Sequence, residues 1–174
     1  MLFRSALVAA LHRLKAAGAD FAAILANTPH NAYDRIRDAA PLKILTIMDA
    51  TASALKRDGR CAVGLLGTRA TMEVGFFQKH FAAAGIETRV PEAPHRAELD
   101  RIIWEELSHG VIQPASKETV RAILRDLEKR GVEAVVLGCT ELCLLIQESD
   151  TRLPLYDTTR IHAEAILDYA LREG

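Results

Sequence analysis

The sequence lacks several things that would have fixed its class at once. No apolar run approaches the roughly 20 residues that a membrane-spanning helix needs. Its glycines form neither a phosphate-binding loop nor the dinucleotide fingerprint, so no nucleotide is implied. Formal net charge is only −1, which gives no electrostatic reason to expect nucleic acid or an anionic membrane as partner. Cysteine is scarce and odd in number: three in 174 residues, with an N-terminal segment that reads as an amphipathic helix, argue for reduced thiols and a cytoplasmic location. Low-complexity tracts, linkers and long charge runs are absent too.

What is present is the balance of a globular protein, with 49% apolar and 26% charged residues. Short apolar runs alternate with helical patterns. Strands are expected at Phe21–Leu25, Lys43–Ile47, Cys61–Leu66, Glu87–Val90 and Ala134–Leu137. Helices are expected at Ala6–Ala17, Ala32–Asp38, Asp49–Lys56, Phe76–Ala84, Glu98–Leu107, Lys117–Lys129, Glu141–Gln147 and Thr159–Arg172. This alternation predicts an α/β fold with mostly parallel sheets flanked by helices.

Two stretches 113 positions apart share a design. Ala23-Ile24-Leu25-Ala26-Asn27-Thr28 and Val136-Leu137-Gly138-Cys139-Thr140-Glu141 each run from an apolar strand through a small residue to hydroxyl or amide groups. Facing strand ends of this kind would put polar loops on opposite sides of one cleft. Cys139 sits where a strand hands over to a helix, the usual place for ligand sites in open α/β sheets. A helix N-terminus there would favour thiolate and lower the thiol pKa; the plain alternative is a small buried residue at a tight junction. Asn27, Thr28, Thr68 and Thr71 either bind a carboxylate or satisfy backbone groups at turns and helix starts. Thr140 reads as an N-cap with Glu141 in the first turn. Cys61 reads as a strand core residue. Cys139 and Cys143 share a helix face without further ligands at metal spacing, so no metal is implied.

Gly138-Cys139-Thr140-Glu141 resembles the second cysteine motif of the aspartate/glutamate racemase superfamily, in the form typical of its aspartate racemase-like branch. Ala26-Asn27-Thr28-Pro29-His30 resembles the first cysteine motif, with Ala26 standing for the cysteine. Leu66-Gly67-Thr68-Arg69-Ala70-Thr71-Met72 and Asp157-Thr158-Thr159-Arg160-Ile161-His162-Ala163 resemble two further family segments, in family order. The resemblance implies two pseudo-symmetric lobes, here 1–57 plus 152–174 and 58–151, with the site between them. It implies racemisation of aspartate or glutamate by thiol-mediated α-proton abstraction without a cofactor, with Cys139 catalytic. Asn27, Thr28, Thr68, Thr71, Thr140, Lys117 and His162 would then contact or surround the substrate, His162 near Cys139, and the chain would form a homodimer. It also implies a strand and glycine-rich loop ahead of the opening helix, which this sequence does not display. Because an alanine methyl neither takes nor gives a proton, one-sided or impaired activity is expected. The alternatives are a single-cysteine decarboxylase or other one-face proton-transfer enzyme, and an inactive homologue that only binds.

Overall fold

Parallel strands cannot be joined by tight hairpins, so each must be followed by a crossover, and the chain obeys this throughout. The computed structural model describes residues 2–173. Helix α1 (Leu2–Ala16) leads through a turn at Gly18, whose φ of 91° suits glycine, into β1 (Phe21–Ala23). The short α2 (Tyr33–Ile36), flanked by 3-10 turns, crosses to β2 (Lys43–Leu45), which pairs in parallel with β1. Leu11, Ala22, Ile36, Leu42 and Ile44 form the small core of this part.

Helix α3 (Ile47–Arg57) starts at Thr46, whose hydroxyl accepts from the Asp49 backbone N–H at 3.0 Å. It leads to β3 (Ala62–Leu66), α4 (Arg69–Glu73), α5 (Phe76–Ala83), β4 (Glu87–Arg89), α6 (Ala93–Arg101), α7 (Pro114–Lys129), β5 (Ala134–Leu137), α8 (Leu142–Leu145), β6 (Leu155–Asp157) and α9 (Thr158–Glu173). The second sheet has strand order β4-β3-β5-β6, all pairs parallel. The α/β class with parallel sheets flanked by helices is therefore the observed architecture.

Both faces of this sheet are covered, and the period of two along a strand sorts its side chains between them. Val63, Leu65, Ala134 and Val136 meet Ile47, Leu55, Phe77 and Phe81 on one side. Leu66, Val135 and Leu137 meet α7 and the segment after α6 on the other. On α7 the buried Val120, Ile123, Leu124 and Leu127 follow helical spacing. Gly64 explains how closely α7 approaches: a Cβ there would lie 2.9 Å from Leu127 Cδ1. Phe77 and Phe81 are fully buried, each contributing about 1.5–3 kcal/mol of apolar burial.

Four expectations are corrected. The helix expected over Glu98–Leu107 is broken: α6 ends at Arg101, a π-helical turn spans Ile102–Glu106, and a 3-10 turn spans Leu107–His109. The wider turn lets Ile102, Ile103, Glu106 and Leu107 all bury while Trp104 stays 59% exposed. Glu106 reaches inward to accept from Ser116 Oγ at 2.5 Å and from Arg101 at 2.8 Å. The helix expected over Glu141–Gln147 shrinks to α8, a single turn. Strand β6 has no counterpart among the expected strands; it falls in the stretch assigned from sequence to the first lobe and hydrogen-bonds to β5. Cys61 is exposed and precedes β3, its backbone N–H donating to Glu133 Oε2 at 2.7 Å.

Candidate active site

Strands β3 and β5 end side by side, and two glycines permit it. The Gly138 N–H donates to Leu66 O at 2.6 Å. A Cβ on Gly67 would lie 2.8 Å from Gly138 O, and one on Gly138 would lie 2.9 Å from Leu66 O. Backbone blocks both positions, so only glycine lets the loops after these strands turn into the same space. Cys139 follows at once, and its loop faces the one after β1. Between them lies a cleft of about 140 Å³.

Ala26, Asn27, Thr28 and Pro29 form one side of the cleft; Cys139, Thr140 and Glu141 form another. Thr68, Ile103, Trp104 and Ser108 complete the wall. The structure thus brings together Cys139, Asn27, Thr28, Thr68 and Thr140. Thr71 lies one layer back, fully buried, its hydroxyl 3.2 Å from that of Thr68. Thr68 caps α4 by accepting from the Thr71 N–H and sits 3.4 Å from the Thr28 hydroxyl, so it links the two sides of the cleft.

Lys117 and His162 are not among the lining residues. Lys117 pairs with Asp150 at 2.9 Å, and Arg121 binds the same carboxylate. The Gln147 backbone N–H, then these cations, hold Asp150 well below the usual carboxylate range. His162, buried on α9, donates to Leu45 O at 2.9 Å and borders a separate groove of about 450 Å³ along α3 and α9. Sequence reasoning missed Ile103, Trp104 and Ser108; the one available signal was the break in helical spacing across the buried Ile102, Ile103, Glu106 and Leu107.

The electrostatics of Cys139 run opposite to expectation. Burial first, then donation of the S–H to Glu141 Oε2 at 3.0 Å, pushes its pKa up to about 12. The expected helix-dipole effect fails because α8 has a single turn and begins three residues later. Thr140 does not cap it; its hydroxyl donates to Glu141 Oε2 at 2.6 Å. With two donors, from Cys139 and then Thr140, Glu141 is held below the usual range and is anionic at neutral pH. Alkylation of Cys139 by iodoacetamide, followed by peptide mass spectrometry, is therefore expected to speed up about tenfold per pH unit beyond pH 9, tracking the thiolate fraction. A plateau below pH 9 would show that the thiolate is favoured instead.

Asn27 carries the plainest sign of a binding role. It is 5% exposed, and neither amide atom has a hydrogen-bond partner among the described residues. Unsatisfied buried amides are rare and costly, about 1–3 kcal/mol.

The loop that carries Asn27 is pinned by His30. A carbonyl only accepts and a backbone N–H only donates, so His30 Nδ1–H donates to Ala26 O at 2.8 Å and Nε2 accepts from Ile47 N–H at 3.2 Å. The ring must be neutral, and burial drives its pKa down to about 4. An unfolded chain takes this proton near pH 6.5, before the folded one does. The His30 contribution is thus intact above pH 6.5 and lost as pH falls from there toward 4, about 2–3 kcal/mol between pH 7 and 4.5. Urea unfolding of wild type and His30→Gln at both pH values measures it; equal pH dependence in the two proteins would remove His30 as the source.

A thiol at the end of one parallel strand and an amide loop at the end of another, meeting across a small cleft, invite comparison with known proteins. The sequence model of the Asp/Glu/hydantoin racemase family matches residues 2–166. The fold superposes on a candidate Asp/Glu racemase from Yersinia pestis with a TM-score of 0.89 and 42% identity, over 98% of this chain and 73% of that one. An aspartate racemase homologue from Pyrococcus horikoshii OT3 gives 0.87 and 36%, over 96% of this chain and 74% of that one. A glutamate racemase of Aquifex aeolicus (strain VF5) is 27% identical over 166 residues, which are 92% of this chain and 63% of that protein. With nearly its whole length matched in sequence and in fold, the chain belongs to the Asp/Glu/hydantoin racemase family.

Proposed function

We propose that this protein moves the α-proton of an amino acid through Cys139, without a cofactor, as a one-sided member of its family. The observation that carries this reading is the shared cleft of a buried thiol and an unsatisfied buried amide. In this reading the lobe built on β1 and β2 supplies Asn27 and Thr28, and the lobe built on β3 to β6 supplies Cys139. The substrate carboxylate accepts from the Asn27 amide and the Thr28 hydroxyl, donors that strengthen as carbanion charge spreads onto it. The small fraction of Cys139 that has given its proton to solvent as thiolate removes the α-proton, and the re-formed thiol, after exchange with solvent, returns a proton to the same face. A thiolate whose conjugate acid sits near 12 is a strong base, which suits so weak a carbon acid. Ala26 stands where the opposite thiol would be, so the net result is exchange without inversion.

The test is proton NMR of the purified chain in D₂O with each enantiomer of an amino-acid panel that includes aspartate and glutamate. Loss of the α-proton signal from one enantiomer, with no opposite enantiomer accumulating, is the expected result. No exchange with any amino acid would sink the reading.

A second reading draws on the protonation of Cys139. A thiol that stays protonated at neutral pH is what an enzyme needs to quench a carbanion left by decarboxylation, on one face and with one cysteine. Carbon dioxide release from a disubstituted malonate, with no amino-acid exchange, would favour it.

A further inference from the structure

Glu141 is the one charged side chain on the wall of the cleft, and no cation among the described residues pairs with it. Its carboxylate does not cap α8, which starts without a side-chain bond to its N-terminus. Instead it folds back over its own loop, so that the Cys139 S–H and the Thr140 O–H both donate to one oxygen, Oε2. The other oxygen, Oε1, takes no donor among the described residues. On the facing side of the cleft stands Asn27, 5% exposed, with both amide atoms unbonded. An anion without a cation and an amide without a partner therefore share one small space.

We infer that Glu141 receives the ammonium of the substrate amino acid, and that the same carboxylate keeps Cys139 protonated until that cation arrives. This rests on the amino-acid reading proposed above and deepens it. Every α-amino acid carries an ammonium on the carbon whose proton is to move, and an ammonium brings only donors. The Asn27 amide and the hydroxyls of Thr28 and Thr68 are left for carboxylate groups. Burial is the larger cause of the high Cys139 pKa and stays in place; Glu141 is the cause that a ligand can relieve. While unpaired, its charge opposes a second negative charge on the sulfur, and Oε2 holds the S–H proton. An ammonium against the carboxylate cancels most of that charge and competes for the same oxygen. The proton then leaves Cys139 for solvent more readily. Thiolate forms when an α-carbon is within reach and stays scarce while the cleft is empty.

Glu141→Gln keeps the shape of the side chain and removes its charge. Iodoacetamide is expected to alkylate Cys139 of this variant about tenfold faster than wild type at pH 9, with the pH profile displaced to lower pH, since one unit of pKa is about tenfold in thiolate. Calorimetry reads the other half, with aspartate and glutamate set against succinate and glutarate, the same molecules without their ammonium groups. The substitution is expected to weaken the amino acids about tenfold or more and to leave the plain dicarboxylates unchanged or tighter. Equal alkylation rates in the two proteins overturn the inference, as does a variant that loses amino acids and dicarboxylates alike. Should the variant not fold, two methanethiosulfonates decide the matter on the wild-type chain. The aminoethyl reagent, which carries an ammonium, is expected to modify Cys139 about tenfold faster than the methyl reagent, once corrected for their rates with mercaptoethanol. Equal corrected rates overturn the inference. Measuring α-proton exchange on the same amino acids separates the two proposals. Both expected results without exchange would uphold the ammonium site while sinking the catalytic reading. Exchange with neither result would do the reverse, and absence of all amino-acid binding would remove both.

Discussion

Replacing Cys139 with alanine is expected to lower α-proton exchange by about 10²–10⁴-fold, the usual worth of a positioned acid–base group. The fold should survive. Cys139 follows β5 in a loop, Glu141 keeps the Thr140 hydroxyl as a donor, and the lost sulfur leaves a gap open to the cleft rather than a sealed cavity. Circular dichroism and urea unfolding of the variant guard against a trivial loss through misfolding. Cys139→Ser sharpens the test, since a serine hydroxyl is a far weaker acid than a thiol and should recover little of the rate. An alanine variant that exchanges at the wild-type rate would mean that Cys139 touches no reacting atom.

The second large effect is a gain. Ala26→Cys is expected to convert exchange confined to one enantiomer into true racemisation, raising the rate of appearance of the opposite enantiomer by about 10²-fold or more. Room exists for the sulfur: Ala26 is half-buried and borders the cleft, and its carbonyl is held by His30, so the loop should keep its course. The new thiol would face a substrate flanked by Cys139 on its other side, which is the two-thiol arrangement that the resemblance implies. Chiral chromatography of the products reads the result. If exchange increases in the variant yet stays on one enantiomer, position 26 does not address the opposite face of the α-carbon.

Much of this was legible in the sequence, and the remainder was hidden for physical reasons. The strands β3 and β5 announce themselves because both faces are buried and their residues are apolar throughout. The long helix α7 does so through the spacing of Val120, Ile123, Leu124 and Leu127. Its true start, three residues before the expected Lys117, is set by Pro114 at the first helical position. The three-residue strand β6 gives too little pattern to recognise, because only its pairing with β5 defines it. The direction of the Cys139 shift could not be read from a helix N-terminus that hardly exists; it depends on Glu141 folding back over two residues. Lys117 carries no sign in its own neighbourhood that Asp150, far along the chain, claims it. Asn27 and Thr28 were legible through their motif alone, and the indole of Trp104 was hidden by a turn that no helical period anticipates.

That turn has a consequence for how such a protein could change over generations. A π-helical turn amounts to one residue more than an α-helix would hold over the same span. Deleting a single residue between Ile102 and Glu106 would let the segment continue as ordinary α-helix and swing the residues downstream by about 100° around its axis. The indole would leave the wall of the cleft, and a different side chain would take its place, while the loops bearing Cys139 and Asn27 stayed put. One wall of the cleft and the thiol within it are thus carried by separate parts of the chain. One codon gained or lost could retune the first and spare the second.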